Sequence, residues 1–109
     1  MSFRAACIQN SATPDVAHDI AVLARLIRDA AAQGAGFVAT PEYCAGLDTR
    51  DGLLYPVAPE EKDHPVLPAM AALASELGIW LLIGSIGVRA ADGRINNRSY
   101  MLRPDGGIA

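Results

Sequence analysis

The segment Trp80–Val88 is the most apolar part of the sequence and restricts the fold more than any other feature. Its first half, Trp80–Ile83, does not alternate between apolar and polar residues, which predicts a strand covered on both faces. A hairpin turn signal follows at Ala90–Gly93, and Ile95–Leu102 is predicted to be the returning antiparallel strand. The sequence therefore predicts a buried sheet strand with an antiparallel neighbour.

Two amphipathic helices alternate with short strands before this segment. Apolar residues recur every three or four positions from Val16 to Ala30, which is typical of a helix with one buried face. The predicted elements are, in order, a strand at Arg4–Gln9, a helix from about Asp15 to about Gln33, a strand at Phe37–Ala39 and a helix that begins between His64 and Pro68 and ends at Leu77. This β-α-β-α-β-β order predicts an α/β fold with a mixed sheet and helices on one face, whose other face is apolar and needs a second layer. The long connection, residues 43–62, is of a length that is usually functional or itself partly structured.

The composition limits the size, the partners and the compartment of the protein. A chain of 109 residues makes one small domain. Its residues are 51% apolar and only 19% charged, and this composition indicates that something outside the chain covers part of its surface. The net charge of −3 argues against nucleic acid and anionic membranes as partners, since both need a basic face. No apolar run reaches the length of a membrane span, and the amino terminus lacks the apolar region of a signal peptide, so a cytoplasmic location is expected.

The cysteines and histidines form neither a disulfide pattern nor a metal-binding pattern. Cys7 and Cys44 are too few for a disulfide framework, and both thiols are expected to be reduced in the cytoplasm. Neither cysteine forms a close pair with His18 or His64 of the kind that zinc ligands need. Cys7 is predicted to be a small core residue, Cys44 a loop or pocket thiol, and His64 a cap of the second helix.

Glu42 is the candidate catalytic residue. It follows the apolar strand Phe37–Ala39, and Pro41 cannot donate a hydrogen bond to a neighbouring strand, so the strand should end before it. In open α/β sheets, ligands bind at the carboxyl ends of the strands, and a glutamate there with apolar residues behind it is a candidate general base. We expect its carboxyl group to lie at the mouth of a core between two sheets. The alternative interpretation is a solvated loop glutamate, because most glutamates are exposed.

Several short motifs and their order resemble the amino-terminal part of the carbon–nitrogen hydrolase (nitrilase) superfamily. The matching segments are Ala6–Gln9, Ala39–Tyr43, Leu82–Ile86, Asn97–Tyr100 and Pro104–Gly106. Together they cover essentially the whole chain, and their order and spacing carry the resemblance. It implies that residues 1–109 form the amino-terminal portion of a domain with a four-layer α-β-β-α sandwich fold.

The resemblance also implies an amidase-like hydrolase that cleaves non-peptide carbon–nitrogen bonds of amides, with nitriles or carbamoyl groups as alternatives. The family uses a Glu-Lys-Cys triad that forms a thioester, with neither a metal nor an organic cofactor. Its glutamate matches Glu42, which would take the thiol proton as general base. Tyr43 would line the substrate pocket, with plain packing as the alternative. The full-length protein is expected to be a homo-oligomer that acts on a small amide or nitrile.

The sequence departs from the family pattern because it contains neither the triad lysine nor the triad cysteine. Its only lysine, Lys62, lies in the long loop and does not match, and Cys44 does not match the position of the nucleophile. Only two residues remain after the turn Pro104–Gly107, so we expect a portion of a longer domain. A base without its nucleophile forms no thioester, and the chain alone is therefore predicted to be inactive.

Two other functions stay open on the sequence. A non-catalytic α/β module could associate with a partner through its exposed sheet face, which the apolar excess favours. A doubly wound nucleotide-binding domain is disfavoured, because Gln9–Ser11 stand where a glycine-rich turn should follow the first strand. Gly84–Gly87 is predicted to serve tight sheet packing, and Asn97 to tie backbone segments together. The helical pattern places Asp19 away from the apolar face of the first helix.

Overall fold

Six strands and two α-helices form along residues 2–109, the part of the chain that the computed structural model describes. Met1, the first residue of the predicted domain, lies outside the described residues. The elements are, in chain order, β1 (Ala5–Cys7), α1 (Val16–Ala32), β2 (Phe37–Ala39), β3 (Leu47–Arg50), β4 (Leu53–Pro56), a 3-10 turn (Glu61–Asp63), α2 (Val66–Leu77), β5 (Trp80–Arg89) and β6 (Ile95–Leu102). Every predicted helix and strand is present, and β3 and β4 add to them.

The main sheet has the strand order β1-β2-β5-β6, with the first three strands parallel and β6 antiparallel to β5. The two parallel connections, one through α1 and one through α2, step across the sheet in the same direction. Because such crossovers are almost always right-handed, both helices lie on the same face, where they contact each other. The predicted α/β fold, a mixed sheet with helices on one face, is confirmed.

The core lies between the helices and one face of the main sheet. Val38, Leu81 and Leu102 form one row across β2, β5 and β6, and none of them is more than 1% exposed. Leu23 of α1 and Met70 of α2 are fully buried and belong to the same cluster. Burying a side chain of this size contributes about 1.5–3 kcal/mol, so this layer holds the helices on the sheet.

The opposite face of the main sheet carries no helix. The neighbouring row across the sheet points to that side and consists of Cys7, Ala39, Leu82 and Met101. Cys7 is exposed, the other three are half-buried, and Trp80 at the start of β5 is 41% exposed. Two predictions are therefore wrong for the described chain, because the first half of β5, Trp80–Ile83, is covered on one face only and Cys7 is not a core residue. Side chains alternate along a strand, and this alternation turns Cys7 away from the helices.

The connection between β2 and α2 contains a hairpin that the sequence analysis does not predict. β3 and β4 form an antiparallel pair, and Asp51 and Gly52 between them have positive φ angles of 52° and 74°. A tight hairpin turn requires two residues of this kind, and Asp-Gly is a common pair there. The pair Asp51–Gly52 is therefore the sequence signal from which this hairpin could have been predicted. Arg50 stacks over the ring of Tyr55, 4.2 Å from its centroid. The expectation that residues 43–62 are partly structured is confirmed.

Capping residues stabilise the ends of both helices. Asp15 caps α1 by accepting a hydrogen bond from the backbone N–H of His18 at 3.1 Å. Gly78 ends α2 in the left-handed conformation, with φ 64°. The buried His64 caps α2, as predicted, because its Nδ1 accepts a hydrogen bond from the N–H of Val66 at 3.3 Å. Burial lowers the pKa of His64, which favours the neutral ring that this hydrogen bond needs.

Candidate active site

The segment Thr40–Gly46, which we call the Glu42 loop, leads from the carboxyl end of β2 to β3. As predicted, β2 ends before Pro41, so Glu42 lies at the carboxyl end of a sheet strand. The chain reverses at Tyr43, whose φ is 46°. This left-handed conformation costs about 1–2 kcal/mol for a residue with a side chain, so contacts with the surrounding structure must hold it.

Glu42 is exposed and faces the side of the main sheet that carries no helix. Its Oε2 accepts a hydrogen bond from Nδ2 of Asn97, on β6, at 3.0 Å. Tyr100 and Leu102 of β6 are buried against the helices, so alternation places Asn97 on the opposite face. The predicted enclosure of Glu42 is not observed, because its side chain is exposed in the described chain.

The contact with Glu42 gives Asn97 a role that differs from the predicted one. The sequence predicts that Asn97 ties backbone segments together, whereas its side chain binds the carboxylate. The amide donor fixes the orientation of the carboxyl group through Oε2. Within the described residues Oε1 of Glu42 accepts no hydrogen bond from the protein, which leaves its lone pairs free for another donor.

β5 bulges where it faces the Glu42 loop. Its pairing with β6 shifts between Ile83 and Ile86, so two residues leave the regular ladder. The first of them, Gly84, touches the loop backbone, since a Cβ added there would lie 2.0 Å from the carbonyl oxygen of Thr40. Glycine is therefore required at this position, which confirms the tight packing predicted for Gly84–Gly87.

The side chains of Thr40 and Ser85 bind the Glu42 loop to this bulge. Thr40 Oγ1 donates to the carbonyl of Leu82 at 3.2 Å and accepts from the N–H of Gly84 at 3.0 Å. Ser85 Oγ accepts from the N–H of Tyr43 at 2.8 Å. Thr40 is 5% exposed and Ser85 is 2% exposed, so these hydrogen bonds are shielded from water. They fix the backbone on both sides of the candidate base.

Asp19 of α1 holds the far end of the Glu42 loop. It is 1% exposed and accepts hydrogen bonds from the N–H and Oγ1 of Thr13 and from the N–H of Gly46, each at 2.9 Å. Asn10 Nδ2 donates to the carbonyl of Cys44 at 2.9 Å and supports the same segment. Asp19 is thus buried although the helical pattern places it away from the apolar face of α1, because backbone N–H groups of two loops satisfy its carboxylate.

Cys44 and Lys62 do not take the places of the missing triad residues. Cys44 is 1% exposed, and burial raises the pKa of its thiol, opposed in part by a hydrogen bond with Thr40. A raised pKa lowers the thiolate fraction, which suits the predicted loop thiol better than a nucleophile. The exposed Lys62 lies 3.9 Å from a carboxylate oxygen of Glu60 at the 3-10 turn. In the described part of the chain neither residue makes a hydrogen bond or an ion pair with Glu42.

The two cysteines should react with a thiol reagent at very different rates in the folded 109-residue chain. Cys7 is exposed on the helix-free face, whereas the buried Cys44 is shielded and less ionised. With an aromatic disulfide reagent at neutral pH, we expect one equivalent to react quickly and the second only after denaturant is added. In a Cys7→Ser variant the fast equivalent should disappear. Two fast equivalents in the native chain would contradict the burial of Cys44.

Three cavities of the described chain lie away from the Glu42 loop. One of about 450 Å³ is lined by Phe3, Gly36, Phe37 and Trp80. Two others, of about 300 and 540 Å³, lie around the start of β1. Phe37 and Trp80 begin β2 and β5, so the first cavity adjoins the amino ends of these strands, and none of the three is lined by a residue of the Glu42 loop.

A metal centre and a membrane-spanning helix are both absent from residues 2–109. No three side chains of the His, Cys, Asp or Glu type come together there as metal ligands. Neither helix combines the length and the hydropathy that a bilayer-spanning segment needs.

One family matches the sequence over almost its full length. The profile of the family described as carbon-nitrogen hydrolase matches residues 4–109.

Amidase structures share the fold. The amidase from Nesterenkonia sp. AN1, in a variant with leucine in place of a glutamate and with the acetamide moiety of fluoroacetamide added covalently at the active-site cysteine, has a TM-score of 0.76 and 18% identity. The match covers 94% of this chain and 39% of that one. An N-terminal amidase with a Gln-Val peptide has a TM-score of 0.71 and 15% identity, with 94% of this chain and 25% of that chain covered. The chain thus spans between a quarter and about two fifths of the length of these structures.

Proposed function

Since the chain belongs to the carbon–nitrogen hydrolase family, we propose that it forms the amino-terminal part of an amidase-like enzyme that cleaves non-peptide carbon–nitrogen bonds. The observation that carries this proposal is the position of Glu42 at the carboxyl end of β2, oriented by Asn97 and with Oε1 open. Small amides are the proposed substrates, with nitriles and carbamoyl compounds as alternatives. The amidases among the structures of similar fold support this substrate class.

In the proposed mechanism, Glu42 acts as general base for a cysteine that the remainder of the domain supplies. Its carboxylate takes the thiol proton, and the thiolate attacks the carbonyl carbon to form the carbon–sulfur bond. The carbon–nitrogen bond then breaks, and the amine leaves with the proton that Glu42 held. Water, deprotonated by the same carboxylate, attacks the thioester, the carbon–sulfur bond breaks to release the acid, and the leaving thiolate takes the proton back from Glu42. A lysine from the remainder of the domain stabilises the oxyanion in both halves of the reaction.

Tyr43 is proposed to line the entrance of the substrate pocket. Its half-buried side chain and its place directly after Glu42 support this proposal. Packing against the missing layer is the alternative role. Homo-oligomerisation and a cytoplasmic location remain predictions.

Ammonia release tests the reaction class. The assay uses a polypeptide in which this chain is followed by the remainder of the domain, with small aliphatic amides and the corresponding nitriles as substrates. We expect ammonia from the amides and none from the 109-residue chain, because its described residues place no reactive thiol beside Glu42. A longer polypeptide that hydrolyses no amide, nitrile or carbamoyl compound would overturn the proposal.

The helix-free sheet face favours one second candidate function, a non-catalytic module that binds a partner through this face. Phe37, Leu82 and Met101 are only half-buried there, and Trp80 is 41% exposed. Size-exclusion chromatography of the 109-residue chain separates the two proposals. A stable, monodisperse oligomer would favour the interaction module, whereas aggregation favours a domain that lacks its second layer.

A further inference from the structure

Ser85, in the bulge of β5, makes three hydrogen bonds with the backbone of the Glu42 loop. Ser85 N–H donates to the carbonyl of Pro41 at 3.3 Å, and its carbonyl accepts from the N–H of Cys44 at 3.0 Å. Its Oγ accepts from the N–H of Tyr43 at 2.8 Å. Ser85 thus binds the residues before and after Glu42 without touching the carboxylate itself.

The side-chain hydrogen bond falls on the strained position of the loop. Tyr43 has a φ of 46°, a conformation that residues with side chains rarely adopt, and it follows the candidate base directly. If this residue relaxed to a negative φ, the direction of the chain at Glu42 would change and the carboxylate would move away from Asn97. The buried hydroxyl of Ser85 opposes that relaxation, because the N–H of Tyr43 would lose its acceptor.

We propose that Ser85 is a positioning residue for Glu42, which holds Tyr43 in its left-handed conformation and thereby keeps the carboxylate against Asn97. This inference rests on the proposed function, since it assigns to Ser85 the orientation of the base in that reaction. Preorganisation of this kind affects catalysis steeply, because a displacement of about 1 Å in a reacting group costs up to about 10²-fold in rate.

The test compares Ser85→Ala with Ser85→Thr, which keeps the hydroxyl, and with Ser99→Ala as a matched control. Ser99 Oγ donates to the carbonyl of Gly84 at 2.6 Å, so this control removes a serine hydroxyl that binds the same bulge but not the Glu42 loop. Two signals are measured by NMR in the polypeptide that contains the remainder of the domain. They are the hydrogen exchange of the Tyr43 amide and the chemical shifts of the Asn97 side-chain amide.

In Ser85→Ala we expect the Tyr43 amide to exchange about tenfold faster, while amides in the centre of α1 keep their exchange rates. The two Asn97 side-chain protons should shift towards the values of a solvated amide. Ser85→Thr and Ser99→Ala should retain the wild-type signals. If the Asn97 shifts in Ser85→Ala equal those of the wild type, the positioning role is refuted, even when the Tyr43 amide exchanges faster.

A second variant covers the case in which Ser85→Ala does not fold. Ser85→Cys keeps a side chain of similar volume but accepts hydrogen bonds weakly, so it should show both changes in a folded chain. Wild-type Asn97 shifts in Ser85→Cys would overturn the proposal in that case.

Kinetics in the longer polypeptide distinguish a failure of this inference from a failure of the proposed function. Ser85→Ala should lower kcat about tenfold or more with KM nearly unchanged, and Ser85→Thr should restore it. If Glu42→Gln removes turnover but Ser85→Ala leaves kcat unchanged, only the positioning role of Ser85 fails. If Glu42→Gln leaves turnover unchanged, the proposed function itself fails, whatever Ser85→Ala does to the loop.

Discussion

Replacing Glu42 with glutamine lowers the turnover of amides by about 10²–10⁴-fold in the polypeptide that contains the remainder of the domain. The side-chain amide of glutamine can still accept the hydrogen bond that Asn97 donates to Oε2, so the loop keeps its contact. What the variant loses is the ability to accept a proton. The change is read as ammonia released per enzyme and unit time at saturating amide.

Glu60→Gln is the matched control for this prediction. Glu60 is also exposed, lies beside the 3-10 turn and makes only a weak ion pair with Lys62 at 3.9 Å. For Glu60→Gln we expect turnover within about twofold of the wild type. Both variants should keep the wild-type melting temperature, since exposed substitutions rarely change stability by more than about 0.5 kcal/mol. If Glu42→Gln behaved like Glu60→Gln in turnover, Glu42 would not be the base.

Replacing Asp19 with alanine lowers the free energy of unfolding of the 109-residue chain by about 3 kcal/mol or more. The carboxylate is 1% exposed and satisfies the backbone N–H groups of Thr13 and Gly46. Without it both donors are left in the interior without a partner, and each unsatisfied group costs about 1–3 kcal/mol. Urea unfolding followed by circular dichroism measures the change, which should lower the midpoint without changing the slope.

Asp29→Ala provides the comparison within the same helix. Asp29 is exposed on α1, and its removal should change the free energy of unfolding by no more than about 0.5 kcal/mol. The loss in free energy of unfolding for Asp19→Asn should lie between the losses for Asp19→Ala and Asp29→Ala. The asparagine carbonyl oxygen can still accept a hydrogen bond, but its NH₂ group would face N–H donors and could not accept from them. A loss below about 1 kcal/mol for Asp19→Ala would show that the carboxylate does not hold the two loops together.

The elements of the fold were predictable because their signals are local. The three- and four-residue spacing of apolar side chains predicts α1, Gly78 ends α2, and Pro41 ends β2 before the candidate base. The resemblance to the family located Glu42 in the same way, from a short motif at a strand end. Each of these conclusions depends on residues close to one another in the sequence.

The contacts that shape the site were not predictable because they join distant parts of the chain. Asn97 is 55 positions from Glu42, and Ser85 is 42 positions from Tyr43. Nothing near Asp19 indicated that two loops would direct their N–H groups at it. Such pairs become visible only when strand order, register and the position of the β5 bulge are known.

The other wrong predictions concern which face of the main sheet a strand residue occupies, and whether that face is covered. Cys7 is apolar enough for a core, and the run around Leu82 does not alternate, so both were expected to be covered. Which face is covered depends on the crossovers that place both helices on one side of the main sheet. For the same reason Glu42 is exposed in the described chain, since it faces the uncovered side.

The rate at which the cysteine of the complete domain is acylated tests the central claim, that Glu42 takes the thiol proton, most directly. Formation of the covalent acyl adduct from a small amide is followed by mass spectrometry in a single turnover, over a range of pH, for the wild type and Glu42→Gln. With Glu42 as base, the variant forms the adduct much more slowly at neutral pH, and its rate rises towards the pH at which an unassisted thiol ionises, about 8.5. Equal acylation rates with the same pH dependence in both proteins would contradict it.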